Sequence, residues 1–390
     1  MTDSPLRLAF AVSLFFEFGG MQRSMLRIAQ ACAAAGHEVH LFTGGWQAPE
    51  PDNITVHVLD TEAVTNVRSN DLLAKKFAHA VAADGKFDCV IGFTKIPGLD
   101  VYYAGDPCYA ERIHETRPWW YRWTSRYRGF RRQEAAVFAR GLKTELMLIA
   151  HSERENFIKY YATEVERFHL LPPGINRSRF DSPPNKTEIA AFRKSLGVSE
   201  NEQMLLLVGA RFRTKGLDRA LLALASLPAE QLNKTRLIIV GGDKQAPYQK
   251  QAEQLGVSER IHFTGARDNL VSFYHAADLL VHPPYIENTG TILIEAMLCS
   301  LPILVSGNCG FAYHVKDANA GLVCPEPFEQ QIFNKLLISM LYSEQLPVWA
   351  ENGPRYCEKT DLYSLIERAA GVIIARGYLN RQAAKVNNVA

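Results

Sequence analysis

The 390-residue chain contains no Asp-x-Asp pair. Such a pair is a common way to hold Mg²⁺ or Mn²⁺ on a diphosphate, so a diphosphate leaving group here would rely on side chains and a helix end. The 11 histidines show neither H-x-x-x-H nor H-E-x-x-H spacing, which argues against a zinc site. The seven cysteines are scattered without a C-x-x-C pair, and several fall in helix-like or strand-like segments, as reduced, buried thiols of a cytosolic protein would. No apolar run reaches the ~20 residues that a membrane span needs. G-x-G-x-x-G, G-x-x-x-x-G-K-[ST] and G-x-S-x-G are all missing, which disfavours a dinucleotide fingerprint, P-loop kinase chemistry and a serine nucleophile elbow. A net charge of +2 gives no case for a surface that binds nucleic acid throughout. There is no internal repeat and no low-complexity tract.

What is present is length and apolar content: 47% of residues are hydrophobic, enough for two cores. Strand-like runs alternate with helix-like ones. Leu6–Phe15 is followed by a helix over 22–35, then come runs at 38–43, 54–59, 88–93, 101–104, 146–150 and 168–171. Asp3 and Glu17 flank the first run, and no cleavage-site pattern follows it, so it reads as a buried strand and not a signal peptide. A second alternating series starts at Gln203 and ends at Val323, and an amphipathic helix is expected from Leu362 to Arg376 with a loose tail after Gly377. Between the two series lie Pro172-Pro173-Gly174 and Pro183-Pro184, which mark a boundary. The expectation is an α/β chain with a parallel sheet in each of two Rossmann-like domains, 1–172 and 173–361, and a ligand cleft between them.

The stretch from His282 to Ala296 carries the strongest chemical pattern. Glu287 sits in a loop after an apolar strand, and Glu295 sits about a turn into the next helix. Gly290 stands where that helix begins. Helix-start amides suit a phosphate, and a carboxylate on either side suits hydroxyl groups, so a sugar, a diphosphate and a ribose fit in a row. Solvated carboxylates on an ordinary strand–loop–helix are the alternative. The loop Gly209-Ala210-Arg211-Phe212-Arg213-Thr214-Lys215-Gly216 brings three cations to the carboxyl end of a strand, either for phosphate or as a solvated basic loop. Gly19-Gly20 allows close approach of a ligand or makes a tight turn. Asp106 either faces a developing positive charge or serves as a turn or N-cap residue.

Between Glu111 and Arg132 seven Arg stand against two Glu. Trp119, Trp123 and Tyr127 are four apart, so a helix would put them on one face, flanked by Arg122, Arg126 and Arg128. That pattern reads as contact with an anionic membrane surface, or as an aromatic core face with solvated Arg heads.

Together these residues resemble the retaining glycosyltransferases of family 4, which have the two-domain GT-B architecture. The most specific mark is the E-x₇-E element at Glu287 and Glu295. Phe18-Gly19-Gly20-Met21-Gln22-Arg23, Cys108-Tyr109-Ala110-Glu111, Thr124-Ser125-Arg126-Tyr127-Arg128 and Leu171-Pro172-Pro173-Gly174-Ile175 are similar to the subgroup that adds glucose to the lipopolysaccharide inner core. The resemblance implies UDP-glucose as donor, a heptose acceptor, no metal, no nucleic acid and a peripheral position on the cytoplasmic face of the inner membrane. It implies that Gly20, Arg179, Arg213, Thr214, Lys215, Gly290, Thr291, Ile292 and Glu295 bind the donor. Glu287 would bind the transferred sugar, and Asp106 would be an acid near that sugar, so these two and Lys215 form the catalytic set. The segment with Trp119, Arg122, Trp123, Arg126, Tyr127 and Arg128 would dock on the membrane. The last helix, about 362–378, would pack back on the first domain. Ala210 and Thr214 stand where relatives carry Arg, which leaves open whether Arg211 or Arg213 joins Lys215. Ser300 stands where the family usually has Gly. A relative using another UDP-sugar or glycolipid acceptor, a UDP-sugar epimerase, and a non-catalytic glycolipid-binding protein are the alternatives.

Overall fold

The computed structural model describes residues 4–16 and 20–387. It divides into two compact units, 1–174 with 364–390, and 175–363.

The strands of the first unit are β1 (Arg7–Val12), β2 (Phe15–Phe16), β3 (Glu38–Thr43), β4 (Trp46–Gln47), β5 (Thr55–Val58), β6 (Cys89–Gly92), β7 (Val101–Ala104), β8 (Glu145–Leu148) and β9 (Phe168–Leu170). Seven of them form one parallel sheet in the order β5-β3-β1-β6-β7-β8-β9, and β2 pairs with β4. β1 is buried along nearly its whole length because both faces are covered, as continuous apolar strands of parallel sheets are. Leu8, Phe10 and Val12 join one core, and Ala9 and Ala11 join the other. The first core also receives Leu365, Ile366, Ala369, Ala370 and Ile373 from the final helix, Leu365–Asn387.

That helix corrects an expectation. Gly377 does not start a loose tail; the helix runs on through Asn387. Asn380 Nδ2 donates to the Asp88 carbonyl at 2.9 Å, and Arg381 donates to both carboxylate oxygens of Asp88 (2.8 and 2.5 Å) and to the carbonyls of Ser4 and Pro5. These partners lie 292 to 377 residues away in sequence, so no local pattern announces them. The helix also begins three residues later than expected, at Leu365 rather than Leu362.

The second unit holds β10 (Gln203–Val208), β11 (Thr235–Val240), β12 (Ile261–Gly265), β13 (Leu279–His282), β14 (Ile303–Ser306) and β15 (Gly321–Cys324). They form a parallel sheet in the order β12-β11-β10-β13-β14-β15. Chain order reverses between β10 and β13, and in open parallel sheets the crevice at such a point binds ligands. The register pairs Leu206 with Leu280, so the loops after Val208 and after His282 leave the same sheet edge side by side.

A second correction concerns the aromatic segment. Trp119–Trp123 forms a short 3-10 turn, and a separate helix, Ser125–Phe138, begins after Thr124, whose side chain caps it. Trp119, Trp123 and Tyr127 therefore share no helix face. Tyr127 is 9% exposed and packs with Tyr109 and Ile113. Its expected membrane contact is excluded by that burial. All seven cysteines are free and buried. Among the described residues, no helix is long and apolar enough to cross a membrane.

Candidate active site

In the second unit the topology brings the expected residues together. The loop after β10 ends at Lys215, and the loop after β13 carries Glu287. The Lys215 ammonium contacts the Glu287 carboxylate directly. His282, fully buried at the end of β13, places Nε2 3.5 Å from the same carboxylate oxygen. Burial alone would push the Glu287 carboxyl up. The His282 imidazole and the Lys215 charge outweigh it and hold the group down at about 2. The first carboxylate of the E-x₇-E element is thus charged, desolvated and held by a cation.

Gly290 opens the helix Thr291–Leu298 with φ +96°. A side chain there would meet Cys309 Sγ at 2.5 Å, so only glycine both turns and fits. The first-turn amides at Thr291 and Ile292 stand outside the helical ladder, which is the feature that suits a phosphate. Glu295 lies one turn in. Its carboxylate accepts from the Tyr274 hydroxyl at 2.7 Å and lies 3.7 Å from the Arg179 guanidinium. Arg179 comes from the short turn Arg177–Phe180, capped by Asn176. Each carboxylate of the motif is therefore paired with one of the two cations expected to hold a diphosphate.

Arg211 and Arg213 are exposed, and Thr214 is half-buried with its carbonyl accepting from the Tyr285 amide at 2.9 Å. Arg211 adopts φ +61°, a strained conformation for a residue with a side chain. Gly20 and Asp106 belong to the first unit. Gly20 is the exposed first residue of the helix Gly20–Ala34; Gly19 lies outside the described residues. Asp106 is exposed in the loop after β7, and it is not an N-cap: the cap of the helix Tyr109–Thr116 is Cys108.

Sequence reasoning missed three positioning groups. In the sequence His282 reads only as the end of a strand. The segment Ser306–Phe311 carries no chemical motif, yet it holds the Glu287 loop: the Gly310 amide donates to the Glu287 carbonyl at 2.9 Å, and the Phe311 amide to the Thr289 carbonyl at 2.7 Å. Asn308 Nδ2 donates to the carbonyls of Pro284 and Tyr285, each at 3.0 Å. Gly307 and Gly310 after an apolar strand were the available signal. The third is Glu134, wholly buried, which accepts from the amides of Tyr109 and Ala110 (3.0 and 3.2 Å), from Lys95 at 2.6 Å and from Tyr161 at 2.5 Å. It fixes the start of the helix that follows Asp106.

Two parallel-sheet Rossmann-like units, with a paired-carboxylate motif at a helix start, define a GT-B sugar transferase. The sequence carries the pattern described as "Glycosyltransferase Family 4" over residues 18–179 and that of "Glycosyl transferases group 1" over residues 188–355. The chain belongs to this glycosyltransferase family. It is 41% identical to the lipopolysaccharide glucosyltransferase WaaG of Escherichia coli (strain K12), over 94% of this chain and 98% of that protein. A crystal structure of WaaG, a glycosyltransferase involved in lipopolysaccharide biosynthesis, superposes with a TM-score of 0.83 at 40% identity, covering 94% of this chain and 99% of that one. Anabaena Alr3699/HepE in complex with UDP-glucose shares the fold, at a TM-score of 0.70 and 17% identity over 95% of this chain and all of that one.

Proposed function

We propose that this enzyme transfers glucose from UDP-glucose to a heptose of the lipopolysaccharide inner core, with retention at the anomeric carbon. The observation that carries the reading is the double pairing, Lys215 with Glu287 and Arg179 with Glu295, around the Gly290 helix start. The relative at 41% identity, a lipopolysaccharide glucosyltransferase, supports the substrate class.

The ion pairs define what donor binding does. A diphosphate competes for both cations. As Lys215 and Arg179 turn to phosphate oxygens, Glu287 is released to accept from hydroxyls of the sugar, and Glu295 to accept from the ribose. The bond from the anomeric carbon to the phosphate oxygen then breaks, and the developing negative charge falls on Lys215, Arg179 and the amides of Thr291 and Ile292. The acceptor oxygen bonds to the same face of the sugar, and its proton passes to the departing phosphate. Asp106, in the first unit, would serve as the acid that the family resemblance implies. Electrostatic donors of this kind typically contribute about 3–4 kcal/mol each. No metal is required by this scheme, because side-chain cations and a helix end take the leaving charge.

The acceptor is lipid-linked, and the same protein offers a docking surface. Trp119, Trp120 and Trp123 are 66%, 55% and 75% exposed. Arg122, Arg126 and Arg128 are exposed beside them. Tryptophans at headgroup depth and arginines on anionic lipid, at roughly 1 kcal/mol per basic residue, give reversible attachment to the cytoplasmic face of the inner membrane.

The test is transfer from radiolabelled UDP-glucose to purified core lipopolysaccharide ending in heptose, beside UDP-galactose and UDP-N-acetylglucosamine. Label from glucose alone supports the reading. Label from another donor reassigns the sugar, and conversion of UDP-sugar without acceptor reassigns the reaction.

A further inference from the structure

At the outer edge of the first sheet, β5 pairs only with β3, and the register sets His40 opposite Thr55 and Phe42 opposite His57. His40 and His57 therefore stand on one face, two residues apart along the pleat. His40 Nδ1 lies 2.9 Å from His57 Nε2 and 3.5 Å from Asp84 Oδ2. Asp84 is the C-cap of the helix Asn66–Ala83, which follows β5. The three donor atoms all lie within 4.8 Å of one another. With bonds of about 2.0–2.2 Å to imidazole nitrogen and carboxylate oxygen, two ligands of one ion lie at most about 4.4 Å apart; both separations from His40 meet that limit, and a small turn of the exposed Asp84 side chain secures the third.

The surroundings add a second observation. The other nitrogen of His40, Nε2, meets Glu38 Oε1 at 2.7 Å. A carboxylate on the far nitrogen of an imidazole fixes its tautomer and turns the Nδ1 lone pair toward the cluster, as is usual behind a metal-bound histidine. Phe42 stacks on His57 with centroids 4.4 Å apart, and Phe87 meets His40 edge-on at 5.1 Å, so aromatic rings wall the pair on the protein side. Arg7 is the neighbouring cation: it donates to Glu38 Oε1 at 3.1 Å, to the Asp84 carbonyl at 3.1 Å and to Asp84 Oδ2 at 3.3 Å. Its bonds to Glu38 and to the Asp84 carbonyl can persist while a carboxylate oxygen of Asp84 turns to an ion.

We propose that His40, His57 and Asp84 form a binding site for one divalent transition-metal ion of the zinc class, which ties edge strand β5 and the end of the helix Asn66–Ala83 to β3. His57 would shift its proton to Nδ1 to present Nε2, and water would complete the coordination. The site is structural. It lies in the first unit and includes none of the residues assigned to the donor, so glucosyl transfer does not pass through it.

Titrating untagged, chelator-stripped protein with Co²⁺ tests this. The expected result is a visible d–d spectrum that saturates at one equivalent, is displaced by Zn²⁺ and is absent from His57→Ala and from His57→Ala/Asp84→Ala. Zn²⁺ should raise the melting temperature of the wild-type protein by several degrees and leave that of the double variant unchanged. His57 is half-buried and Asp84 exposed at the sheet edge, and near- and far-ultraviolet circular dichroism of the metal-free variants verifies their folding. No saturable spectrum, or a spectrum and thermal shift retained in the double variant, overturns the proposal.

Discussion

Replacing Lys215 by Met strands a buried carboxylate. Glu287 is held at about 2 against an ordinary 4.5, and at about 1.4 kcal/mol per pH unit that difference favours the folded state by about 3 kcal/mol at neutral pH. Its folded pKa lies below its unfolded one. The contribution is therefore complete above about pH 4.5 and is lost as pH falls toward 2. His282 stays in place in Lys215→Met, so part of the stabilisation survives, and the expected loss is about 2 kcal/mol or more. Breaking one side of a buried ion pair typically costs about 3–5 kcal/mol, which sets the upper range. Neutralising the carboxylate as well, in Lys215→Met/Glu287→Gln, removes the stranded charge and should restore most of the loss. Urea unfolding at pH 7, followed by circular dichroism, measures all three proteins. The deficit of the single variant should also shrink between pH 5 and pH 3. A loss under about 0.5 kcal/mol, or a double variant no more stable than the single one, would refute the reasoning.

Other outcomes follow from the same structure. Ser300 adopts φ +57° just after the helix Thr291–Leu298; Ser300→Gly should stabilise by about 0.5–1 kcal/mol and leave turnover unchanged, measured by urea unfolding and initial rates. In Gly310→Ala the new methyl would sit 1.9 Å from the Asn288 carbonyl, so the Glu287 loop must shift, and calorimetry should show UDP affinity falling at least about tenfold, that is about 1.4 kcal/mol. Arg381→Ala leaves Asp88 without its guanidinium and should cost about 1.5–3 kcal/mol in urea unfolding. Exchanging Arg122, Arg126 and Arg128 for Glu should abolish co-sedimentation with anionic vesicles while transfer to a detergent-solubilised acceptor persists; unchanged sedimentation would remove the docking surface from the account.

Much of the fold was legible because parallel strands buried on both faces read as short apolar runs, and β3, β7 and β10 fall where those runs fall. The E-x₇-E element was legible because a strand, a glycine and a helix start place its two carboxylates within a single segment. The rest depended on partners remote in sequence. The final helix outlasts Gly377 because Asp88 and the Ser4–Pro5 backbone hold Arg381, and glycine alone argued for a stop. The break at Thr124 follows from a hydroxyl that caps the next helix, which a four-residue aromatic spacing conceals. His282 and Asn308 became visible only once β13 and β14 lay side by side.

The central claim is that Glu287 acts on the transferred sugar and not on the nucleotide. The measurement is glucosyl transfer by Glu287→Gln beside its affinity for UDP. The account predicts that UDP binding stays within a few-fold of wild type while transfer falls by about 10²–10³. Transfer within tenfold of wild type, with UDP binding intact, would contradict it.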